Sequence, residues 1–236
     1  MGGAVRMAAE AAMRVGAGLV TVATRPEHVS VVSGSRPEIM CHEVVEANDL
    51  DPLIARANVV VIGPGLGKSD WAQGLQEKLL SIPLPKVLDA DSLNLLSQSP
   101  QHHDNWILTP HPGEASRLLH CNCQDIQDDR FAAVSKIQKK YGGVIALKGV
   151  GTAIEDQAHR INICSAGNPG MATGGMGDIL SGIIGGLLAQ GLPLTDAACA
   201  GVLIHAMAAD CAAQAGERGL LATDLLAHLR KLVNPL

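Results

Sequence analysis

The sequence predicts an α/β fold built on a mostly parallel sheet with helices on both of its faces. Two observations predict it: short, continuously apolar runs, and helical patterns that separate them along the chain. Strands buried on both faces read as unbroken apolar runs, and parallel neighbours need helical crossovers. A third observation is that four of the predicted strands end in polar or glycine-rich loops. In parallel sheets ligands bind beyond that edge, and packing alone does not explain the clustering.

In chain order, Gly18–Thr24 and Asn58–Ile62 read as strands, followed by Lys86–Asp89, Trp106–Thr109 and Val144–Lys148. Helical patterns cover Asp70–Leu80, Ser92–Leu96, Glu114–Leu119 and Asp125–Tyr141. Thr152–Glu155 and Arg160–Cys164 look like an antiparallel pair at one edge. Three helices, Asp178–Gln190, Thr195–Ala215 and Ala222–Leu232, close the chain. With no linker, repeat or low-complexity segment, one domain over residues 1–236 is expected.

Composition narrows the function. Apolar residues make up 47% of the 236 and charged residues 17%, enough to bury a sizeable core. The net charge of −5 argues against binding nucleic acid through its phosphates. Aromatic residues are 2%, so a base-stacking surface is not expected, and an adenine would sit between aliphatic side chains and backbone. None of the six cysteines shows zinc-site or redox-motif spacing, which fits reduced thiols and a cytoplasmic protein. Arg6, Glu10 and Arg14 interrupt any signal-peptide core. Ile179–Ala189 is too short to span a bilayer and Ala197–Ala213 carries His205 and Asp210, so no membrane span is expected.

The most informative stretch is Asn168-Pro-Gly-Met-Ala-Thr-Gly-Gly-Met-Gly-Asp178, which runs into an apolar helix. Gly174, Gly175 and Gly177 leave the backbone bare and can take positive φ angles. Their N–H groups, with that of Met176 and the free N–H groups of the helix start, can ring an anion, and the helix dipole adds positive charge there. Asp178 reads either as a helix cap or as a base that takes a proton from a hydroxyl attacking phosphorus.

Ile62-Gly-Pro-Gly-Leu-Gly-Lys-Ser69 fails the Walker A pattern, which needs glycine at position 62. It is either a tight strand-to-helix turn or a loop whose backbone meets a ligand at Gly65. In Thr109-Pro-His-Pro-Gly-Glu114, two prolines present His111 rigidly, and Glu114 either caps a helix or binds water around a magnesium ion. Lys148-Gly-Val-Gly-Thr152 reads as a phosphate contact or as a hairpin turn with an exposed lysine. Asp89 and Asp91 straddle a turn, with Asp91 expected to cap the next helix.

Taken together and in this order, GPGLG, DADSLN, TPHPGE, KGVGT and NPGMATGGMGD resemble the ADP-dependent (S)-NAD(P)H-hydrate dehydratases of the ribokinase-like superfamily. The resemblance covers essentially the whole chain. It implies a three-layer α/β/α fold whose first strand is missing here, Met1–Ala4 lying inside the glycine-rich loop that follows that strand. It also implies that many bacterial relatives carry an N-terminal epimerase half.

The implied chemistry is repair of NADH or NADPH hydrated at C6 of the nicotinamide ring. ADP phosphorylates the hydroxyl, and the ring nitrogen then expels phosphate, leaving NAD(P)H and AMP. By matching motifs, Asp178 is the base and Gly174–Gly177 form the anion hole. Lys148, Gly149, Val150, Gly151, Thr152 and Gly177 hold the nucleotide, which is ADP or ATP. Ala4, Gly65, His111 and Asp178 line the hydrate site. Magnesium bridges the nucleotide phosphates without direct protein ligands, with Glu114 able to support it through water. A homotetramer is implied as well. Two rivals stay open: an ATP-dependent kinase of a small alcohol such as a thiazole or pyrimidine, and a non-catalytic nucleotide-binding module.

Overall fold

The computed structural model describes residues 1–234; Pro235 and Leu236, the end of the expected domain, lie outside the described residues. Helix α1 (Gly2–Arg14) is followed by β1 (Thr21–Thr24), α2 (Pro26–Ser35) and β2 (Met40–Glu43). A 3₁₀ turn at Ala47–Leu50 and the short α3 (Asp51–Ile54) lead into β3 (Val60–Ile62). Alternation then becomes regular: α4 (Asp70–Ser81), β4 (Lys86–Leu88), α5 (Ala90–Gln98), β5 (Trp106–Leu108), α6 (Pro112–Leu119), α7 (Cys123–Asp128), α8 (Arg130–Tyr141) and β6 (Val144–Leu147). The hairpin β7 (Thr152–Glu155) and β8 (Ile161–Cys164) precedes α9 (Met176–Ala189), α10 (Leu194–Ala212) and α11 (Leu226–Leu232).

The main sheet has six strands in sequence order, β3 to β8. β3, β4, β5 and β6 are parallel, and β7 and β8 add antiparallel at one edge, as expected. Alternate residues of each strand enter opposite apolar layers. Val87, Ile107, Val144, Ala146 and Ile154 pack with α9, α10 and α11; Leu88, Leu108, Ile145, Leu147 and Ala153 pack with α5, α6 and α8. Burial on both faces is why β4, β5 and β6 read as continuous runs, whereas the edge strand β8 is mostly exposed.

Three expectations are corrected, and two elements were not foreseen. The run at 18–24 pairs only from Thr21, and it pairs with β2 in a separate two-stranded parallel sheet. The segments α2 and β2 carried no periodic signal strong enough to predict them. Residues 125–141 form two helices, because Asp129 leaves helical geometry (φ −143°, ψ 84°) and its carboxylate caps Ala132 N–H at 2.8 Å. Met1–Ala4 do not form a loop: Gly2 onward is helix, with Ala4 buried on it.

That helix packs along α9, and glycine permits the approach. A Cβ on Gly182 would lie 2.0 Å from Ala8 O, and one on Gly186 would lie 2.7 Å from Ala12 O. By length and mean hydropathy (1.3), Leu194–Ala215 is apolar enough to cross a membrane. Here its Ala197, Ala198, Gly201, Val202 and His205 are buried against the rest of the fold, which makes it a core helix.

Candidate active site

Four loops at the C-terminal edge of β3–β6 converge on the start of α9. In the first, Gly63, Gly65 and Gly67 have φ of +122°, +66° and +79°, a region that favours glycine. A Cβ at Gly63 would fall 1.7 Å from Asp89 O, so this loop lies directly on the next one. Asp91 does not cap α5 as expected; its Oδ2 accepts Gly67 N–H at 2.8 Å and ties the two loops together. Gly65 is covered by the start of the chain: the Met1 amino group donates to Gly65 O, which brings α1, and Ala4 on it, beside this loop.

His111 is the N-cap of α6, where its Nδ1 accepts Gly113 N–H at 3.0 Å. Glu114 completes a capping box, accepting His111 N–H at 2.8 Å. The accepting Nδ1 leaves the ring proton of a neutral His111 on Nε2, which lies 3.3 Å from Glu114 Oε1. Burial, with Lys148 and Arg117 nearby, holds His111 below the usual imidazole range. Burial raises the carboxyl of Glu114, although Lys148 opposes the shift.

Lys148 is not the exposed lysine of a hairpin. Its Nζ reaches back 2.6 Å to Asp89 Oδ1 and lies 3.7 Å from Glu114 Oε2. Burial works against its charge, but Asp89 and Glu114 together hold its pKa above the ordinary value. Asp89 is fully buried; its desolvation is outweighed by Lys148 and by the Ser181 hydroxyl, which donates to Oδ2 at 2.8 Å, so its carboxyl sits low. The loop beyond Lys148 turns at Gly149 (φ +143°) and Gly151 (φ +67°), with Val150 at its exposed tip and Thr152 Oγ1 donating to Gly149 O. Arg130 holds it from behind, donating to Leu147 O at 3.0 Å and Gly151 O at 3.2 Å.

Gly175, in left-handed geometry (φ 91°), is the N-cap of α9, so the N–H groups of Met176, Gly177 and Asp178 open the helix without intrahelical partners. Gly177 lies over the ion pair: a Cβ there would be 3.1 Å from Lys148 Nζ and 3.3 Å from Asp89 Oδ2. Among the described residues the Asp178 carboxylate accepts no hydrogen bond, which removes the cap reading. Burial first, then the charges of Asp89 and Asp91, push its pKa up to about 6 despite Lys148. The result is a partly buried carboxylate of raised basicity beside a row of backbone donors and one lysine.

A family model described as NAD(P)H-hydrate dehydratase matches residues 1–231. The chain belongs to the NAD(P)H-hydrate dehydratase family. It is 70% identical over 236 residues to the bifunctional NAD(P)H-hydrate repair enzyme of Coxiella burnetii, covering 100% of this chain and 48% of that protein. It therefore spans about half the length of that relative. Against the ADP-dependent (S)-NAD(P)H-hydrate dehydratase of Neisseria meningitidis serogroup B, identity is 40% over 248 residues, covering 99% of this chain and 81% of that one. A ribokinase-like superfamily protein from Enterococcus faecalis superposes with TM-score 0.89 at 32% identity, over 98% of this chain and 82% of that one. An ADP/ATP-dependent NAD(P)H-hydrate dehydratase from Bacillus subtilis, co-crystallized with ATP/Mg²⁺, does so with TM-score 0.87 at 27% identity, over 98% and 84%. The fold is ribokinase-like.

In this dehydratase-family chain the structure brings Ala4, Gly65, His111, Glu114, the 148–152 loop and 174–178 to one edge of the sheet. Three contributors went unrecognised as parts of the site. Asp89 was visible as a strand-end carboxylate, but its burial against Lys148 was not. Ser181 lies one turn beyond Gly177 on α9, facing Asp89. Arg130 stands at a helix start and carries no motif. Of the carboxylates that perturb Asp178, Asp89 and Asp91 flank one turn, where their two-residue spacing was the available signal.

Proposed function

We propose that this chain is the catalytic dehydratase unit that converts (S)-NAD(P)H hydrate back to NAD(P)H, using ADP as phosphoryl donor. The observation that carries the reading is Asp178: a carboxylate with raised pKa and no capping bond, placed at the backbone donors of α9 and near Lys148. A site that only bound phosphate would gain nothing from that extra negative charge, whereas transfer to a hydroxyl needs a base. The names of the Neisseria and Bacillus relatives support the same nucleotide-dependent reaction.

In this reading Asp178 takes the proton from the C6 hydroxyl as its oxygen attacks the terminal phosphorus of ADP, and AMP departs. The N–H groups of Gly174–Gly177 stabilise charge on the transferring phosphoryl group; one such donor is worth about 10²–10³ in rate. Lys148 neutralises the nucleotide phosphates, and residues 149–152 with Gly177 hold the nucleotide. Ala4, Gly65 and His111 position the hydrate. The lone pair of the ring nitrogen then expels phosphate from C6, and loss of a C5 proton restores the dihydropyridine.

Among the described residues no group of three His, Cys, Asp or Glu side chains is arranged to hold a metal ion. We take magnesium to be carried by the nucleotide phosphates, where it would neutralise their charge. Both oxygens of Glu114 face His111, so water-mediated support from it requires one of those contacts to open. We place the protein in the cytoplasm as a homotetramer whose whole form includes an epimerase half; gel filtration of the full-length protein and fractionation of cells test these points.

The decisive assay follows absorbance at 340 nm with NADH hydrate and magnesium, comparing ADP, ATP and no nucleotide. A rise that requires nucleotide, with AMP released from ADP and loss on chelating magnesium, is the expected result. A stable phosphorylated product from ATP and a small alcohol would make the chain a kinase instead. ADP binding without any turnover would make it a binding module.

A further inference from the structure

The glycine-rich loop is anchored at its start by a carboxylate that belongs to none of the motifs. Asp210, on α10, accepts Gly167 N–H through Oδ2 at 3.0 Å and the Asn168 amide N–H through Oδ1 at 2.9 Å. With its NH₂ turned to Asp210, Asn168 aims its own Oδ1 at Gly170 N–H, 3.1 Å away, and so caps the 3₁₀ turn Pro169–Met171. Backbone bonds from Met171 N to Asn168 O and from Ala172 N to Pro169 O close that turn. The turn has little freedom to shift, since a Cβ on Gly170 would lie 2.6 Å from Glu217 O. At the far end of the loop, Met176 meets the same helix, where the buried imidazole of His205 lies against the Met176 carbonyl. Its Nε2 has no hydrogen-bond partner among the described residues.

We propose that Asp210 and Asn168 are positioning residues for the phosphate cradle, setting where the Gly174–Gly177 N–H groups point. The proposal rests on the reading of that loop as a cradle for the transferring phosphoryl group. Donors act on a developing charge only when held in place beforehand, and displacement by about 1 Å costs on the order of 10²-fold in rate. A loop with two adjacent glycines has many conformations available, so something outside it must select one. The Asp210–Asn168 pair has the right form for that task. A charged acceptor takes two loop donors at once, and such bonds are stronger than neutral ones. It also fixes which way the amide of Asn168 faces, and that orientation is what places Oδ1 on Gly170. The carboxylate does this from the α10 side, at the start of the loop and away from the N–H groups that would meet phosphate.

The test is an exchange of the two side chains. Asp210→Asn alone leaves a single acceptor for two donors and turns an NH₂ toward one of them. Asn168→Asp combined with Asp210→Asn restores the set: the amide at 210 donates to the carboxylate at 168, and Gly167 and Gly170 keep their acceptors. Hydrogen exchange across residues 167–177 and steady-state kinetics with NADH hydrate and ADP are measured on the full chain. We expect the single variant to exchange faster in this segment and to lose about tenfold or more in kcat, with KM for ADP within about threefold. The exchanged pair should return both readouts to near wild type, which a general loss of stability would not do. Wild-type behaviour of the single variant, or a double variant no better than the single, overturns the proposal. If the wild-type chain shows no turnover, the reaction assigned above fails, and loop exchange in the same three proteins decides the positioning role alone.

Discussion

Lys148 Nζ lies 2.6 Å from Asp89 Oδ1, and Gly177 closes over the pair. Both groups are removed from water, so each needs the other. Lys148→Met strands a buried carboxylate and is expected to destabilise the fold by about 3–5 kcal/mol in urea titrations. Asp89→Leu combined with Lys148→Met should recover a large part of that loss while ADP binding stays weak. A double variant less stable than the single would show that the pair is not coupled as its geometry indicates.

The pH profile should carry the signature of Asp178. Its pKa of about 6 means that the base form disappears as pH falls through that value. We expect kcat to drop tenfold per unit below about 6. Asp89→Asn removes a carboxylate that raises this pKa and frees Lys148 to lower it, so the acid limb should move to lower pH. A limb that stays in place would assign the titration to another group.

Asp178 should also trade stability for activity. Its folded pKa lies above the ordinary carboxylate value of 3.8, so the folded state binds this proton more tightly than the unfolded state does. Its ionisation therefore weakens the fold as pH rises between the two values, and the whole cost is present above 6. Asp178→Asn is expected to melt higher than wild type at pH 7.5, with the difference closing below pH 4. Turnover should fall by about 10²–10⁴ while ADP affinity changes only severalfold. Turnover at wild-type level in that variant would remove Asp178 as the base.

The α1–α9 contact depends on a missing side chain. A Cβ at Gly182 would stand 2.0 Å from the backbone carbonyl of Ala8, and that carbonyl cannot rotate away as a side chain could. Gly182→Ala should cost about 3 kcal/mol by thermal or chemical unfolding, despite alanine's better helix propensity. Gly74→Ala on α4, where nothing lies within 4 Å, serves as the control and should be neutral or mildly stabilising. Equal behaviour of the two variants would mean that the helices separate without cost.

Much of the fold was legible because each strand of the parallel core is buried on both faces and its apolar run is local. Thr21–Thr24 looked the same by that criterion, and its place in a second sheet depends on β2, whose Met-Cys-His-Glu has no strong pattern. The family resemblance put Met1–Ala4 inside a loop, yet packing against α9 draws the segment from Gly2 onward into α1. The break at Asp129 needed a side-chain bond to Ala132 that composition does not reveal.

The sequence by itself determined the alternating architecture, the glycine positions where backbone meets ligand, and the candidate base at the start of α9. All of these rest on local causes: apolar periodicity, allowed φ angles and free N–H groups at a helix terminus. Tertiary structure alone decided the electrostatics. Lys148 turns inward because Asp89 is buried beneath it, fifty-nine residues away in the chain. Asp178 becomes a stronger base because burial and the charge of Asp89 reach it together. Ionisation depends on which charges share a volume without water, and only the folded chain brings them there.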